Sequence, residues 1–401
     1  MQAHARIAVV AVVAAVLFAP AAAADDADWN AVLEAARGQT VYWNAWGGKP
    51  EINDYMAWAA DAVEERHGVT VEIVKLRATA DAVQRILAEK QAGRTQDGSV
   101  DILWVNGANF AAMVDAGLLA EPWTHRLPNY ELVDLTIPSN TVDFGTPVDN
   151  REAPYGFFQL NFPYSPARMP DPPADAAELL AYAEANPGRI TYPNPSNFLG
   201  HTFLKQILHE VTPDPAVLQQ PAGAVDFAAA TAPLWAYLDR LHPHLWREGR
   251  DFPADETVLR RMLADGAVDM SVSFGPGETS AAIDMGLVPP ETRTFVFEGG
   301  TIGNTSFNAI PFNAGSKEGA MVLANFLLSP EAQARKQDPR VWGAFTVLDL
   351  DALSADERAP FEALPDGVAT LSRDELGTPL PEPHFTWTVA LQEAWAERYR
   401  R

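Results

Sequence analysis

Apolar positions alternate between two periods along the first hundred residues. Trp29, Val32, Leu33 and Ala36 lie at helical spacing, with Asp28 as the candidate N-cap and Gly38 as the stop. The run "TVYWNAWGG" then reads as a short strand that ends in a loop at Gly47-Gly48. Ile52, Tyr55, Met56, Ala59 and Val63 mark one face of a second helix, closed by Gly68. "VTVEIVKL" is a strand, Val83, Ile86 and Leu87 mark a third helix running to Gly93, and "VDILWV" has the unbroken apolar character of a buried strand. Strands alternating with helices of about 12 residues predict parallel pairing through right-handed crossovers, hence an α/β lobe over 25–155.

Between Glu121 and Pro154 the pattern lapses into Pro-, Asn- and Asp-rich surface loop. It resumes in the strand "YGFFQLNFPYS" and the helix "DAAELLAYAEAN". "RITYPNPSNFLGHTFLKQILHEV" follows as strand, Pro-locked loop and a helix starting near Ser196 to Gly200. "VLRRMLADGAVDMSVSFGPGETSAAIDMG" repeats the scheme, which predicts a second α/β lobe over 156–298. The Gly- and Thr-rich "EGGTIGNTSFNAIP" supplies a return crossover, so the chain rejoins the first lobe over 299–345. Within it Ser329 is an N-cap, with Pro330 at N1 and Glu331 at N2. Residues 346–401 form a C-terminal helical segment packing on the lobes, with the aromatics of "FTWTVALQEAWAERYR" turned to packing.

Composition narrows the classes. At 401 residues the chain exceeds what one hydrophobic core usually spans. A formal charge of −24 repels nucleic acid and anionic lipid, so no nucleic-acid partner is expected. Residues 1–24 combine a basic start (His4, Arg6), an apolar run from Ile7 to Ala19 and a small-residue end at Ala24, the pattern of a cleaved signal peptide. That run is too short to span a membrane. Without any cysteine there is no disulfide and no lipid attachment point, which leaves a soluble, monomeric periplasmic protein as the expectation.

"SKEGAMVLANFLLSPEAQ" is similar to the penultimate helix pair of the extracellular solute-binding proteins of ABC importers. "DILWVNGANFAAM", "YPNPSNFLGHTFLKQ", "SVSFGPGETSAAI", "GGTIGNTSFNAIPFNAGSKEGAMVLANFLLSPEAQARK" and "LPEPHFTW" together resemble the YnjB-type periplasmic component, from about residue 40 to the C-terminus. The resemblance implies a two-lobe, type II-like periplasmic binding protein fold with two crossovers, an interlobe cleft that closes by a hinge, and permease subunits as partners. That family more often carries Trp-Gly where this chain has Tyr155-Gly156, and His where it has Ser306.

In open α/β lobes ligands sit where strand ends and helix N-termini converge. Trp43 and Trp46 close the first strand and are candidates for an aromatic wall, with core packing the alternative for one of them. Asn106 and Asn109 lie at the third strand's exit, either as contacts or as helix caps. On the second lobe Tyr192, Asn194, Ser196, Asn197 and Phe198 surround a helix start, where Ser196 is also a candidate cap. Ser273, Phe274 and Glu278 occupy the equivalent exit, with Glu278 the carboxylate for a cationic group or an exposed helix-start residue. Tyr155, Phe157, Gln159, Asn304, Thr305 and Ser306 on the crossovers are expected to face the cleft at alternate positions.

No nucleophile elbow, zinc-protease, dinucleotide or Walker pattern is present. His242-Pro-His244 lacks a third ligand nearby, Asp349 and Asp351 lack the rest of a calcium loop, and no Tyr-Tyr pair suggests ferric iron. No cofactor or metal is expected. The two readings are a binding protein for a small organic solute and a periplasmic hydrolase or isomerase, and the aromatic, amide and hydroxyl chemistry favours binding. The aromatic density suits a thiamine-like or quaternary ammonium solute. Gly47-Gly48, the helix start at Ser196, and Lys75 and Arg77 suit a phosphate, sulfonate or carboxylate, and a zwitterion or phosphorylated cation would use both sets.

Overall fold

The structure, a computed structural model, describes residues 22–399. The signal-peptide reading concerns 1–24, of which 1–21 lie outside the described residues. Helix α1 (Ala22–Ala36) leads into β1 (Thr40–Trp46), α2 (Pro50–His67), β2 (Thr70–Leu76), α3 (Thr79–Gln91), β3 (Ile102–Val105) and α4 (Ala108–Asp115). Asp28 is therefore not an N-cap: it lies inside α1 and pairs with Arg126 at the surface. Gly68 ends α2 in the left-handed conformation, its N–H donating to the Glu64 carbonyl.

A short hairpin, β4 (Val142–Asp143) and β5 (Thr146–Pro147), precedes the long strand β6 (Glu152–Gln159). The chain then builds its second part from β7 (Phe162–Tyr164), α5 (Ala176–Ala185), α6 (Phe198–Val211), α7 (Phe227–Leu241), α8 (Glu256–Ala264), α9 (Glu278–Asp284) and β8 (Arg293–Phe295). It returns along β9 (Ile302–Ala309) to α10 (Lys317–Leu327), α11 (Pro330–Gln337), α12 (Ala355–Glu362), α13 (Arg373–Leu376), β10 (Leu380–Pro381) and α14 (Thr386–Tyr399). Ser329 caps α11 by accepting from the Ala332 N–H, with Pro330 at N1.

The main sheet runs β10-β9-β3-β1-β2, with β6 along the other edge of β9. β1 is parallel to β2 and β3, as the alternation predicts, but β9 runs antiparallel to β3 and β6. A strand that re-enters from a second lobe arrives from the opposite direction, so the sheet is mixed. β6 and β9 are the two crossovers, paired along nearly their whole length. The segments at Arg189–Tyr192 and Val268–Val272, read as strands, form isolated bridges and single hydrogen bonds instead of a ladder, for example the Asp269 N–H to the Arg189 carbonyl.

One hydrophobic core gathers Val41, Trp43, Tyr55, Met56, Leu323 and Ala332; a second gathers Phe162, Tyr192, Leu204, Leu238 and Val268. Trp387, Leu391 and Trp395 of α14 belong to the second core, so the chain end is bound by packing.

Asp143 and Glu152 are fully buried near each other, and neither Glu152 oxygen has a hydrogen-bond partner. Burial, reinforced for Glu152 by Asp143, pushes both carboxyls well above the usual range. The folded chain thus keeps protons that the unfolded chain releases, and stability falls as pH rises through the window above the ordinary carboxylate value. Glu152→Gln, which mimics the protonated acid, is expected to flatten the decline of Tm between pH 5 and pH 9 seen for the wild type. Parallel Tm-against-pH lines for the two proteins would show that Glu152 does not titrate there.

Candidate functional site

Residues from both cores line a cavity of about 590 Å³. Its first wall is Trp46, at the end of β1, set edge-on to Trp104 of β3 with ring centroids 6.4 Å apart. Gly48 makes this possible: a Cβ there would lie 2.1 Å from the Trp46 indole. Trp104 is backed in turn by Tyr155 and Trp342, at 5.3 and 5.6 Å.

The opposite wall comes from the loops before α6 and α9. Phe274 lies nearly parallel to Phe158 of β6 (6.5 Å, 14°) and meets Phe198 edge to face at 5.0 Å. Phe198 is the first residue of α6, and it sits there because Asn197 caps the helix, accepting from the Leu199 N–H at 2.9 Å. Gly200 lets the first turn press on the preceding loop, since a Cβ would meet the Pro193 and Asn194 carbonyl oxygens at 2.3 Å.

β6 and β9 form the floor. In their antiparallel register Phe158 pairs with Asn304 and Gly156 with Ser306, so these four share a face, and Phe158, Asn304 and Ser306 line the cavity. Phe157 and Thr305 pair on the other face, Phe157 beneath Arg373 and Thr305 donating to Asn140. The register shift between Pro154 and Gly156 sends Tyr155 into the core.

Charge enters at one edge. The Lys49 ammonium, from the loop after β1, lies 2.6 Å from Glu278 at the start of α9 and 3.1 Å from Glu256 at the start of α8. Burial works against that ammonium, but the two carboxylates hold its pKa above the ordinary value. Glu278 is partly buried too, yet Lys49 and hydrogen bonds from Ser273 and Gly275 keep its carboxyl below the usual range. Burial and the Glu278 charge push Glu256 up. The same three residues also border a second opening of about 560 Å³, so the ion-paired group stands between two compartments of the cleft.

Of the residues singled out in the sequence, Trp46, Gly48, Asn106, Asn197, Phe198, Phe274, Glu278, Asn304 and Ser306 come together at this cavity. The others are placed elsewhere. Trp43 is fully buried and donates to Asn308 at 3.0 Å; Tyr155 and Phe157 are core residues. Gln159 donates to Thr301 and to the Leu376 carbonyl, tying the crossovers together. The Tyr192 hydroxyl is held between His242 and Trp395 in the second core. Asn194 accepts from the Ser196 N–H and hydroxyl in a turn, so Ser196 is not the cap. Asn109 follows Gly107, the actual N-cap of α4, and makes no capping bond. Ser273 lies behind Glu278 and reaches the site through it. Lys75 and Arg77 do not line the cavity, whereas Lys49, Trp104, Phe158 and Glu256, which the sequence reading passed over, do. His242 is buried in the second core, where burial lowers its pKa to about 4 and its Nε2 is hydrogen-bonded to the Tyr192 hydroxyl.

The family model of bacterial extracellular solute-binding proteins matches residues 58–349. The chain is 43% identical over 372 residues to Protein YnjB of Escherichia coli (strain K12), an alignment covering 93% of this chain and 94% of that protein. Among solved structures it is similar to the periplasmic binding protein AfuA of Actinobacillus pleuropneumoniae with fructose-6-phosphate bound (TM-score 0.58, 15% identity, 90% of this chain and 99% of that one). It is likewise similar to iron-bound HitA of Pseudomonas aeruginosa (TM-score 0.61, 16% identity, 88% and 98%).

Proposed function

The chain belongs to the bacterial extracellular solute-binding protein family, and from that premise we propose that its interlobe cavity captures a flat organic cation in the periplasm and hands it to an ABC permease. The observation that carries this reading is a cavity walled by Trp46, Trp104, Phe158, Phe198 and Phe274, with one lysine against Asp255, Glu256 and Glu278. Ring faces attract cations by about 0.5–2 kcal/mol each, and the acidic rim adds to this. A thiamine-like or quaternary ammonium compound fits these walls. The anionic alternatives lose support because Lys49 is the one cation among the lining residues and is already engaged by two carboxylates. Iron in HitA and fructose-6-phosphate in AfuA illustrate that the fold leaves ligand chemistry to the lining side chains.

The remaining elements of the proposal are secretion through the 1–24 signal, a monomeric state and hinge closure. Among the described residues no helix is long and apolar enough to cross a membrane. Ligand contacts divided between two rigid bodies favour closure on binding. Native mass spectrometry of protein isolated without added solute is expected to show a bound small organic cation. A ligand present at 100 Kd stabilises the folded state by about 2.7 kcal/mol, which a melting screen reads directly. Small-angle scattering is expected to show a smaller radius of gyration with that compound. An enzymatic product released in place of a retained solute would favour the hydrolase or isomerase reading. An unchanged radius at saturation would remove closure alone.

A further inference from the structure

We propose that the cleft selects cations bearing N–H donors, such as an amidinium or a primary ammonium, over quaternary ammonium ions, with Glu256 and Asn304 setting the choice. The inference rests on the cavity being the solute site; it keeps the organic-cation class proposed above and replaces the quaternary ammonium member of that class with one bearing N–H donors.

Glu278 is fully committed. One of its oxygens holds Lys49, and the other accepts from Ser273 at 2.7 Å and from the Gly275 N–H. Glu256 meets Lys49 through Oε1 alone, and its Oε2 has no partner among the described residues. It opens on the cavity as an acceptor carrying charge.

Asn304 is the second, independent observation. It lines the same cavity, yet is only 4% exposed. Its amide is oriented by the interior: Nδ2 donates to Glu382 Oε1 at 2.9 Å, and Glu382 is fixed by Lys205 at 2.5 Å. An amide flip would turn a carbonyl onto a carboxylate, so the carbonyl Oδ1 is the atom left without a partner. That oxygen faces the cavity, where water satisfies it in the empty cleft, and a ligand that displaces the water without offering a donor leaves it unsatisfied. A quaternary ammonium has no donor, whereas an N–H cation supplies one to Asn304 and one to Glu256 while its π-system or methylene groups meet the aromatic walls. Asp255 keeps its carboxylate on the Val258 N–H, and Arg260 borders the other compartment, beyond Lys49.

Four probes of one ring size test this: benzamidinium, benzyltrimethylammonium, benzyl alcohol and benzoate, titrated by saturation-transfer NMR against the wild type, Glu256→Gln and Asn304→Leu. Benzamidinium is expected to bind the wild type at least tenfold more tightly than the other three. Each substitution is expected to weaken it about tenfold while leaving benzyltrimethylammonium within threefold. Melting curves confirm that the variants are folded; Glu256→Gln, at a partly exposed helix start, decides the matter if Asn304→Leu is not. Equal or tighter binding of benzyltrimethylammonium, preference for benzoate or benzyl alcohol, or no binding of any probe overturns the inference. In those cases a solute found by native mass spectrometry still sustains the binding-protein reading, and its absence removes both.

Discussion

Lys205→Met is expected to destabilise the protein by about 3–5 kcal/mol, the cost of stripping one partner from a buried ion pair. Lys205, on α6 of the second lobe, is fully buried, and its ammonium lies 2.5 Å from Glu382, which is itself 5% exposed. It also stands 5.2 Å from the Phe144 ring centroid. Removing it leaves a carboxylate with Asn304 and no countercharge, in a place water does not reach, so Glu382 must take up a proton or the region must open. Lys205→Met/Glu382→Gln is expected to recover a large part of the loss, because the pair's net worth is much smaller than the cost of breaking it. Urea unfolding at pH 7 measures both. A single-variant loss below about 1 kcal/mol would mean that solvent or another cation reaches Glu382. The pair also bears on function, since Glu382 orients the Asn304 amide, and the double variant is expected to fold well while binding poorly.

The α/β alternation of the first lobe was legible because each strand and helix there carries its own period and stop, from "TVYWNAWGG" to Gly93. The site was legible only where a residue's position follows from local order. Trp46 and Asn106 sit at strand ends, Phe274 follows the bridged segment Val268–Val272 that stands in for a strand, and such ends are where these lobes open. The parity of β6 was not legible. An alternation counted from Tyr155 selects Phe157 and Gln159, but the register shift after Pro154 transfers the cavity face to Phe158. The choice of Asn304 and Ser306 on β9 contained the needed signal, since antiparallel neighbours share a face and those two pair with Phe158 and Gly156.

Charge was the harder part. Glu278 could be read as a helix-start carboxylate, but nothing in one strand of sequence reveals that Lys49, more than two hundred residues away, neutralises it. Glu256 was passed over because the periodic run of α8 was read from Val258, two residues inside the helix. The lining cation and the available carboxylate thus emerge only when the two lobes face each other, which is a property of tertiary packing and not of any local pattern.

Trp43 and Trp46 put that distinction to a quantitative test. They lie three residues apart on one strand, with Trp43 in the core and Trp46 in the cavity wall. Trp43→Ala is expected to cost about 3–5 kcal/mol, since it empties an indole-sized volume beside Tyr155 and strands the Asn308 carbonyl that accepts from the indole N–H. Trp46→Ala leaves a gap open to the cavity and is expected to cost about 1 kcal/mol or less in stability. It removes an aromatic face from the ligand, about 0.5–2 kcal/mol, which corresponds to roughly two- to thirtyfold weaker binding of an organic cation. Urea melts and titrations on the two variants should therefore show opposite patterns: one protein that unfolds early and, while folded, binds nearly as the wild type does, and one that melts normally and binds weakly. If Trp43→Ala melts like the wild type but no longer binds, the cavity wall extends deeper than Trp46 and Trp104, and the core assignment of Trp43 is wrong.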